Sequence, residues 1–329
     1  MRNLKFPNPA RLRIVDNSLH DFYLNDASFE GMIEATVSVN ESQYMPCLPF
    51  RTDDSLIFPV GRFRGAWTFN EFRYALKNGA TVLYVHRLIV SEAIESIFVP
   101  YIDYYYNLRS KTKNEFKRYY YKLFMNNLYG KLIQRIREKF RFCKTVSEAK
   151  QYMREKNINT VNMQTVNDGF FLKYEVDEIL SHTIACWGAY ITAEVRKMLH
   201  VGIMQAPEQT VYCDTDSIFV EKKLKMDSKK LGGWKLEDKI VTKIRALKDY
   251  VCVEKGKQKQ FLKGIKKGSL QLDDFANVFQ IKRMIKTRES FRRVDNLPPG
   301  TFIKQIKVLT GEYSKRVKLK NGKTKPIKL

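Results

Sequence analysis

The chain has 329 residues, 44% of them hydrophobic and 13% aromatic, enough to bury a core in one large domain or two to three lobes. No apolar run approaches the roughly 20 residues of a membrane-spanning helix, and the first residues lack the apolar stretch of a secretory signal. Five scattered cysteines without a C-x-x-C spacing favour buried free thiols over a disulfide framework or a zinc site. We therefore expect an intracellular protein that is not held in a membrane.

Positive charge is concentrated in the C-terminal third of the chain. The formal net charge is +24; residues 222–329 hold 31 Lys/Arg against 10 Asp/Glu, whereas residues 1–221 hold 28 against 25. Aromatic and apolar residues are interleaved with these cations, so most of the region is expected to fold and not to form a solvated tail. A folded basic lobe most often binds a polyanion, which makes nucleic acid the first expectation and an anionic membrane surface the second.

The N-terminal half of the chain changes from strand to helix patterns. Residues 1–97 alternate short apolar runs with turn residues, which predicts β-rich structure with a turn at Asn78-Gly79. A helical stretch is predicted for residues 98–135. Residues 136–176 are polar and mixed, and VNDGFFLKYEV within them predicts a small strand pair.

The C-terminal half begins with a helix pattern. The run SHTIACWGAYITAEVRKML (181–199) has apolar residues at helical spacing. A strand, a turn and a second strand follow around YCDTDS. The basic region ends in a strand-rich piece after LPPG (297–300), and its tail is expected to form a hairpin at Asn321-Gly322 or to be frayed.

Two carboxylates stand one residue apart in YCDTDS. Asp214 and Asp216 straddle the predicted turn between the apolar strands TVYC and SIFVE. Side chains two apart on an extended strand share a face, so both carboxylates can point the same way. Mg²⁺ takes one or two carboxylates together with substrate phosphates. Such a pair alone is more often a solvated turn than a metal site, so the neighbouring motifs decide between the two.

The segment TKNEFKRYYYKLFMNNLYGK (112–131) predicts a helix. Thr112 and Glu115 have the spacing of a capping box, and no helix breaker precedes Gly130. One side of the helix offers residues for packing: Phe116, Tyr120, Leu123, Phe124 and Leu128.

A polar ladder follows the other side of this predicted helix. Arg118, Lys122 and Asn126 are spaced by four and Tyr129 lies three further on, so all four lie along one face. The ladder is consistent with a solvated basic stripe. It is equally consistent with cations that contact a triphosphate, ending in an amide and a ring that meet sugar and base.

Four motifs together resemble those of family B DNA polymerases. KLFMNNLYGK resembles their K-x-x-x-N-x-x-Y-G motif, and YCDTDS matches their Y-x-D-T-D-S motif. ITAEVR (191–196) resembles the T-x-x-x-R element that grips primer-template, and KDY (248–250) resembles the K-x-Y that touches the primer end. The motifs stand in the family's order over about residues 98–265. The pattern is most similar to the protein-primed polymerases of bacteriophages and linear plasmids.

The resemblance implies a role for each matching position. Asp216 becomes the principal ligand of catalytic Mg²⁺, and Asp214 completes or supports the site. The residues implied at the incoming nucleotide are Lys122, Arg118, Arg109, Asn126, Tyr129 and Gly130, of which Lys122 also assists catalysis. The residues implied at primer and template are Thr192, Arg196, Tyr212, Lys248 and Tyr250.

The resemblance also implies an α+β fold of the polymerase right-hand type, with palm, fingers, a small thumb and insertion subdomains, and without the exonuclease domain. The implied subdomains are an insertion after the first palm motif (1–97), fingers (98–135), a second insertion (136–176), palm (177–257), and a basic thumb with the C-terminal tail (258–329).

One motif of the family is missing. The second carboxylate of the two-metal site comes from an upstream D-x-x-S-L-Y-P motif, and TDDSLIFP (52–59) does not match its spacing. Asp53 and Asp54 are therefore predicted to form a solvated turn. We expect the chain to be the C-terminal part of such a polymerase, with a magnesium site that lacks one carboxylate ligand.

The implied function is template-directed transfer of a deoxynucleotide from a dNTP to a primer 3′-OH or to a terminal-protein hydroxyl. The implied partners are primer-template DNA, dNTP, a terminal priming protein and an N-terminal polymerase/exonuclease chain, with no membrane. The implied location is the host cytoplasm, or an organelle for a plasmid-encoded chain. Two alternatives stay open: a catalytically inactive nucleic-acid-binding fragment, and a subunit of a split polymerase that is active only with a partner chain.

Overall fold

The structure, a computed structural model, describes residues 1–158, 161–166, 169–225, 228, 231–237, 239–262, 278–285, 297–298, 300–308, 315–320 and 323–329. The chain divides into two compact units. The large unit comprises residues 1–132, 184–272 and 312–329, and the small unit comprises residues 133–183 and 273–311. The five subdomain boundaries stay a prediction, and residues 263–277, 286–296 and 309–314 of the proposed thumb lie outside the described residues.

The described helices are α1 (His20–Asn25), α2 (Phe69–Lys77), α3 (Val99–Lys111), α4 (Glu115–Leu132), α5 (Val146–Glu155) and α6 (Ala185–Ile203). The described strands are β1 (Phe6–Pro7), β2 (Arg13–Val15), β3 (Phe29–Val39), β4 (Phe50–Arg51), β5 (Leu56–Ile57), β6 (Gly61–Thr68), β7 (Ala80–Ile94), β8 (Arg135–Cys143), β9 (Val161–Val166), β10 (Gly169–Ile179), β11 (Thr210–Asp214), β12 (Ser217–Val220), β13 (Lys239–Ala246), β14 (Asp249–Glu254), β15 (Lys257–Leu262), β16 (Val278–Met284), β17 (Phe302–Val308), β18 (Val317–Lys318) and β19 (Thr324–Lys325). No helix among them is long and apolar enough to cross a membrane.

An antiparallel sheet in the order β1-β7-β3-β6, with β2 also paired to β7, organises the start of the large unit. Alternate residues of β3 are buried because successive side chains of a strand point to opposite faces. The buried face packs against α2 in one hydrophobic core, which includes Ile33, Ala35, Val37, Phe69, Phe72 and Ala75. The predicted β-rich region is confirmed. The predicted turn at Asn78-Gly79 is also confirmed, and it joins α2 to β7 through Gly79 at φ +86°.

The helical stretch predicted over residues 98–135 is confirmed as two helices, α3 and α4. The predicted capping box at the start of α4 is wrong. The side chain of Asn114 accepts the backbone N–H of Lys117 at 3.0 Å, whereas the hydroxyl of Thr112 accepts the N–H of Asn114 at 3.3 Å. Asn114 therefore caps α4, and the chain turns between the two helices.

A second hydrophobic cluster joins α3, α4 and α6 to β1. It contains Phe6, Phe98, Ile102, Leu132, Trp187, Tyr190 and Ile191, with Met125, Leu128 and Tyr129 packed against it. The packing face of α4 is therefore not the one expected from the sequence. Leu128 does pack, but Phe116, Tyr120 and Phe124 stay exposed.

Buried polar contacts tie α6 to the rest of the large unit. The Tyr190 hydroxyl lies 2.9 Å from Oε2 of Glu30, a carboxylate that also accepts from Nη1 of Arg73 at 2.8 Å. Burial raises the pKa of Glu30, and the charge of Arg73 opposes that shift. Near the end of α6, the hydroxyl of Tyr74 lies 2.8 Å from Nδ1 of His200. Burial lowers the pKa of this histidine.

The small unit contains the antiparallel sheet β8-β10-β9, α5 and the hairpin β16–β17. Thr145 caps α5 by accepting the N–H of Glu148 at 3.1 Å. A small core of Cys143, Ala149 and Leu172 joins α5 to the sheet. The predicted strand pair is confirmed as β9–β10.

The C-terminal residues pair with the start of β6. The N–H of Leu329 donates to the carbonyl of Val60 at 3.0 Å, and the N–H of Val60 donates to the carbonyl of Ile327 at 2.9 Å. Just before them, β18 pairs with β19 as a hairpin would require. The predicted turn residues Asn321 and Gly322 lie outside the described residues.

Candidate active site

The predicted strand, turn and strand around YCDTDS are confirmed as the hairpin β11–β12. Asp214 ends β11 opposite Ser217, which leaves Thr215 and Asp216 as the loop. Thr215 is a β-branched residue at φ +57°, a conformation that costs conformational free energy for residues other than glycine. The carbonyl of Asp214 accepts the N–H of Asp216 at 2.6 Å and the hydroxyl of Ser217 at 3.1 Å. The chain thus fixes a strained tip that presents Asp214, half-buried, and Asp216, exposed.

A second hairpin tip meets this one. Lys248 lies between β13 and β14 and also has a positive φ of 57°. Its backbone N–H donates to the hydroxyl of Tyr212 at 2.8 Å, and its Nζ lies 3.2 Å from Oδ1 of Asp214. Three of the residues predicted at the catalytic centre and the primer are therefore in direct contact. The Asp214–Lys248 pair was not expected, because it depends on which loops the fold brings together.

Aromatic rings connect the two hairpins behind the tips. The ring centroids of Tyr212 and Phe219 are 5.0 Å apart, as are those of Phe219 and Tyr250, and Tyr250 stacks on Phe261 at 4.9 Å. Burial raises the pKa of Tyr212 and that of Tyr250, so both phenols stay protonated at neutral pH. The sequence did not predict that Phe219 and Phe261 belong to the site. Only the strand register could have indicated them, because it places Phe219 opposite Tyr212 and Phe261 opposite Tyr250.

Three of the four residues of the polar ladder lie exposed on the surface of α4. Arg118, Lys122 and Asn126 are exposed, whereas Tyr129 is partly buried and packs in the cluster with α6. Arg109 lies in the last turn of α3. α6 contacts both α4 and β12, and so links the ladder to the hairpin β11–β12, which carries Asp214 and Asp216 and is called the aspartate hairpin below. Among the described residues, no ion pair joins either aspartate to the cations of α4.

Gly130 lies near the end of α4 in open space. A Cβ built on this residue meets no heavy atom of the described residues within 4 Å. Glycine in a helix is less stable than alanine by about 1 kcal/mol, and no neighbouring atom in the described part of the chain requires it here. The space beside Gly130 is therefore open to a ligand.

The remaining two predicted DNA-binding residues are engaged within the protein. Thr192 donates its hydroxyl to its own helix, to the carbonyl of Ala189 at 2.9 Å. Arg196 forms a two-pronged ion pair with Glu71 of α2, at 2.6 and 2.8 Å. The carboxylate of Glu71 is only 4% exposed, so this pair locks α6 onto α2. Contacts of Thr192 and Arg196 with DNA stay a prediction.

The donor set for a metal ion consists of two carboxylates. In the part of the chain that the structure describes, no group of three or more His, Cys, Asp or Glu residues could hold a metal ion. Asp214 and Asp216 match the one or two carboxylates that Mg²⁺ takes when substrate phosphates supply further oxygens. Asp53 and Asp54, by contrast, are exposed at the tip of the β4–β5 hairpin, as predicted for a solvated turn.

Comparisons with known proteins identify the family of the chain. Residues 1–223 match the family model "DNA polymerase type B, organellar and viral". The DNA-directed DNA polymerase of Enterobacteria phage PRD1 is 27% identical over 245 residues, which are 71% of this chain and 42% of that protein. The chain thus spans less than half the length of this relative.

Solved structures of Phi29 DNA polymerase share the fold. The complex with primer-template DNA and incoming nucleotide substrates matches with a TM-score of 0.58 at 16% identity, over 95% of this chain and 55% of that one. The post-translocation binary complex with primer-template DNA matches with a TM-score of 0.58 at 14% identity, over 95% and 61%. The predicted α+β polymerase fold is therefore confirmed. With its family model matched over residues 1–223, the chain belongs to the organellar and viral type B DNA polymerases.

Proposed function

We propose that this chain carries the nucleotidyl-transfer site of a template-directed DNA polymerase. The reaction joins the primer 3′-oxygen, or a terminal-protein hydroxyl oxygen, to the α-phosphorus of a dNTP, while the bond to pyrophosphate breaks and the hydroxyl proton is lost. The observation that supports this most is the meeting of the two hairpin tips, where the Asp214 carboxylate, the Lys248 ammonium and the Tyr212 hydroxyl lie together. Family membership and the relatives, which include a polymerase bound to primer-template DNA and nucleotides, agree with it.

The aspartates of the hairpin form the metal-binding part of the proposed site. DNA polymerases of this family use divalent metal ions, and Asp216 with Asp214 would hold Mg²⁺. A bound Mg²⁺ supplies positive charge to the primer hydroxyl and to the phosphates. Lys248 neutralises Asp214 in this structure. We propose that primer binding draws the Lys248 ammonium away and frees the carboxylate for the metal.

The cations of the proposed fingers, of which Arg118 and Lys122 are exposed and Arg109 is partly buried, form the triphosphate-binding part. Arg118, Lys122 and Arg109 bind the phosphates and stabilise the charge that develops on the leaving pyrophosphate. Asn126, Tyr129 and Gly130 shape the pocket for sugar and base. Primer and template bind Tyr212, Lys248, Tyr250, Thr192 and Arg196.

The absence of a D-x-x-S-L-Y-P motif, and with it of one carboxylate ligand, bears on the partners. We propose that a further acidic residue completes a two-metal site, and that an N-terminal polymerase/exonuclease chain brings it. A terminal protein supplies the first hydroxyl, and the reaction takes place inside the host cell. The ion pair between Asp214 and Lys248, together with the finding that only two carboxylates cluster among the described residues, favours a second candidate, an inactive nucleic-acid-binding protein.

Primer extension tests these candidates. The chain is assayed with primer-template, dNTPs and Mg²⁺, first alone and then mixed with the product of the neighbouring upstream reading frame. Extension by the chain alone excludes the inactive candidate, and extension only after mixing establishes a partner subunit. Absence of extension in both assays overturns the proposed function.

A matched pair of variants tests the metal assignment within the active assembly. Asp216→Asn is expected to abolish incorporation while primer-template binding stays near that of the unmodified protein. Asp54→Asn makes the same chemical change on an exposed hairpin tip outside the site and is expected to leave incorporation unchanged. If Asp216→Asn extends primers normally, Asp216 does not hold the metal.

A further inference from the structure

The fingers helices carry an exposed aromatic face that the proposed reaction does not use. Phe116, Tyr120 and Phe124 follow one another at four-residue spacing along α4, and they are 71%, 48% and 37% exposed. Tyr104 of α3 is 61% exposed. We call these residues, together with Tyr105, the aromatic face. It differs from the polar ladder of Arg118, Lys122 and Asn126, which helical geometry places on another side of α4.

The rings of the aromatic face form a continuous run. Phe116 and Tyr120 are stacked with centroids 5.7 Å apart, and Tyr120 meets Phe124 edge-on at 5.1 Å. Phe124 stacks on Tyr105 at 4.9 Å, and Tyr105 meets Tyr104 at 5.2 Å. The rings support one another's orientation while their outer surfaces stay in solvent. Successive flat, exposed rings of this kind offer stacking positions for planar groups.

The charge around the face indicates which planar groups it fits. Residues 99–132 hold seven Lys/Arg and only two Asp/Glu. Lys117 stands three positions before Tyr120 on α4, so it neighbours that ring on the helix surface, and Lys113 lies in the turn before the helix; both are exposed. Aromatic residues are enriched at protein interfaces as well, but lysine is depleted there, so it is the lysines beside these rings that favour nucleic acid over a protein partner. Aromatic rings interleaved with cations are typical of surfaces that bind single-stranded nucleic acid.

We propose that the aromatic face binds single-stranded DNA, with bases stacked on Phe116, Tyr120 and Phe124 and phosphates neutralised by Lys113 and Lys117. Binding by stacking is independent of sequence, because every base has a flat face. The inference goes beyond the proposed function, since it concerns a strand held away from the reacting atoms. Its test needs neither nucleotide nor metal, so its outcome does not depend on whether the chain polymerises.

Fluorescence anisotropy of a labelled 20-nucleotide oligothymidylate measures this binding. The double variant Phe116→Leu, Tyr120→Leu removes two rings and keeps apolar side chains, and its affinity is expected to fall about tenfold or more. The control Tyr120→Phe keeps the ring and is expected to bind as the unmodified protein does. These side chains are exposed, so all variants are expected to melt alike. Equal affinity of the double variant and the unmodified protein would overturn the proposal.

Salt dependence separates stacking from charge. Ring removal is expected to lower the affinity at every salt concentration without changing the slope of log K against log salt. Lys117→Met is expected to reduce that slope by about 0.7, the value for one phosphate contact on a single strand. If removing the rings changes the slope of log K against log salt and lowers the affinity only in that way, the rings do not stack on bases.

Photocrosslinking locates the strand. An oligonucleotide that contains 5-iododeoxyuridine is expected to crosslink to peptides covering residues 115–124, and crosslinks confined to other peptides overturn the assignment. Gel filtration of the double variant tests the alternative occupant. Self-association that disappears with the rings, while oligothymidylate affinity is unchanged, shows that the face binds protein and rejects the proposal.

Discussion

Replacing Gly130 by alanine separates the stability of α4 from the proposed use of the space beside it. The added methyl group meets no atom within 4 Å in the part of the chain that the structure describes. Alanine is favoured over glycine in helix interiors by up to about 1 kcal/mol, and near the helix end we expect about 0.5–1 kcal/mol. If a template base or nucleotide approaches this position, the same methyl group clashes with it. The variant is therefore expected to be more stable and less active.

Two measurements on Gly130→Ala check the expected gain in stability and the expected loss of activity. Amide hydrogen exchange in α4 is expected to slow about two- to fivefold, which corresponds to the gain of 0.5–1 kcal/mol. Single-nucleotide insertion in the active assembly is expected to lose at least about tenfold in kcat/KM, because a misplaced reacting pair is costly. The control Asn107→Ala also replaces a weak helix former by alanine, on the exposed surface of α3, and is expected to leave insertion unchanged. Full activity of Gly130→Ala refutes close approach at this position, and faster exchange in α4 refutes the steric argument.

Three further predictions concern the contacts around the site. Lys248→Asn introduces a residue that tolerates positive φ but removes the ion pair with Asp214, so the free energy of unfolding is expected to change by less than about 1 kcal/mol. The affinity for primer-template is expected to fall. An unchanged dissociation constant contradicts the proposed primer contact. Arg196→Met leaves the Glu71 carboxylate buried without its partner and is expected to destabilise the large unit by about 3–5 kcal/mol in urea unfolding, and adding Glu71→Gln is expected to restore most of the loss. If Arg196→Met alone is as stable as the unmodified protein, the ion pair with Glu71 does not stabilise the packing of α6 on α2. His200 has a pKa below its usual 6.5 in the folded state, so its contribution to stability is complete above pH 6.5 and is lost as the pH falls below that value. As the pH is lowered from above to below 6.5, the thermal midpoint is expected to fall less in His200→Gln than in the unmodified protein. Parallel curves of midpoint against pH for the two proteins refute the role of His200.

Local patterns in the sequence were sufficient for the elements that carry the site. YCDTDS between two apolar runs predicts the hairpin, because strand alternation and turn chemistry are both local. The spacing of Arg118, Lys122 and Asn126 predicts their shared face for the same reason. The start of α4 was misplaced because Thr112 and Asn114 both suit a cap, and the choice between them depends on how α3 ends.

Contacts between distant segments could not be read in this way. The pair of Asp214 and Lys248 joins two hairpin loops 34 positions apart, and the two-pronged pair of Arg196 with Glu71 spans 125 positions. The packing face of α4 was also misjudged. Helical spacing defines several faces, and only the positions of α3 and α6 determine that Leu128 is covered and Phe116 is not.

The position of α6 limits how mutants of this helix can be interpreted. Tyr190 anchors it to β3, whereas Arg196 and His200 both anchor it to α2, and α6 also contacts α4 and β12 of the aspartate hairpin. Loosening any one anchor can shift the hairpin, so lost DNA binding in an Arg196 variant does not by itself identify a DNA contact. Exchanging the charges of residues 71 and 196 is more informative, because an activity that survives the exchange assigns the arginine to architecture alone.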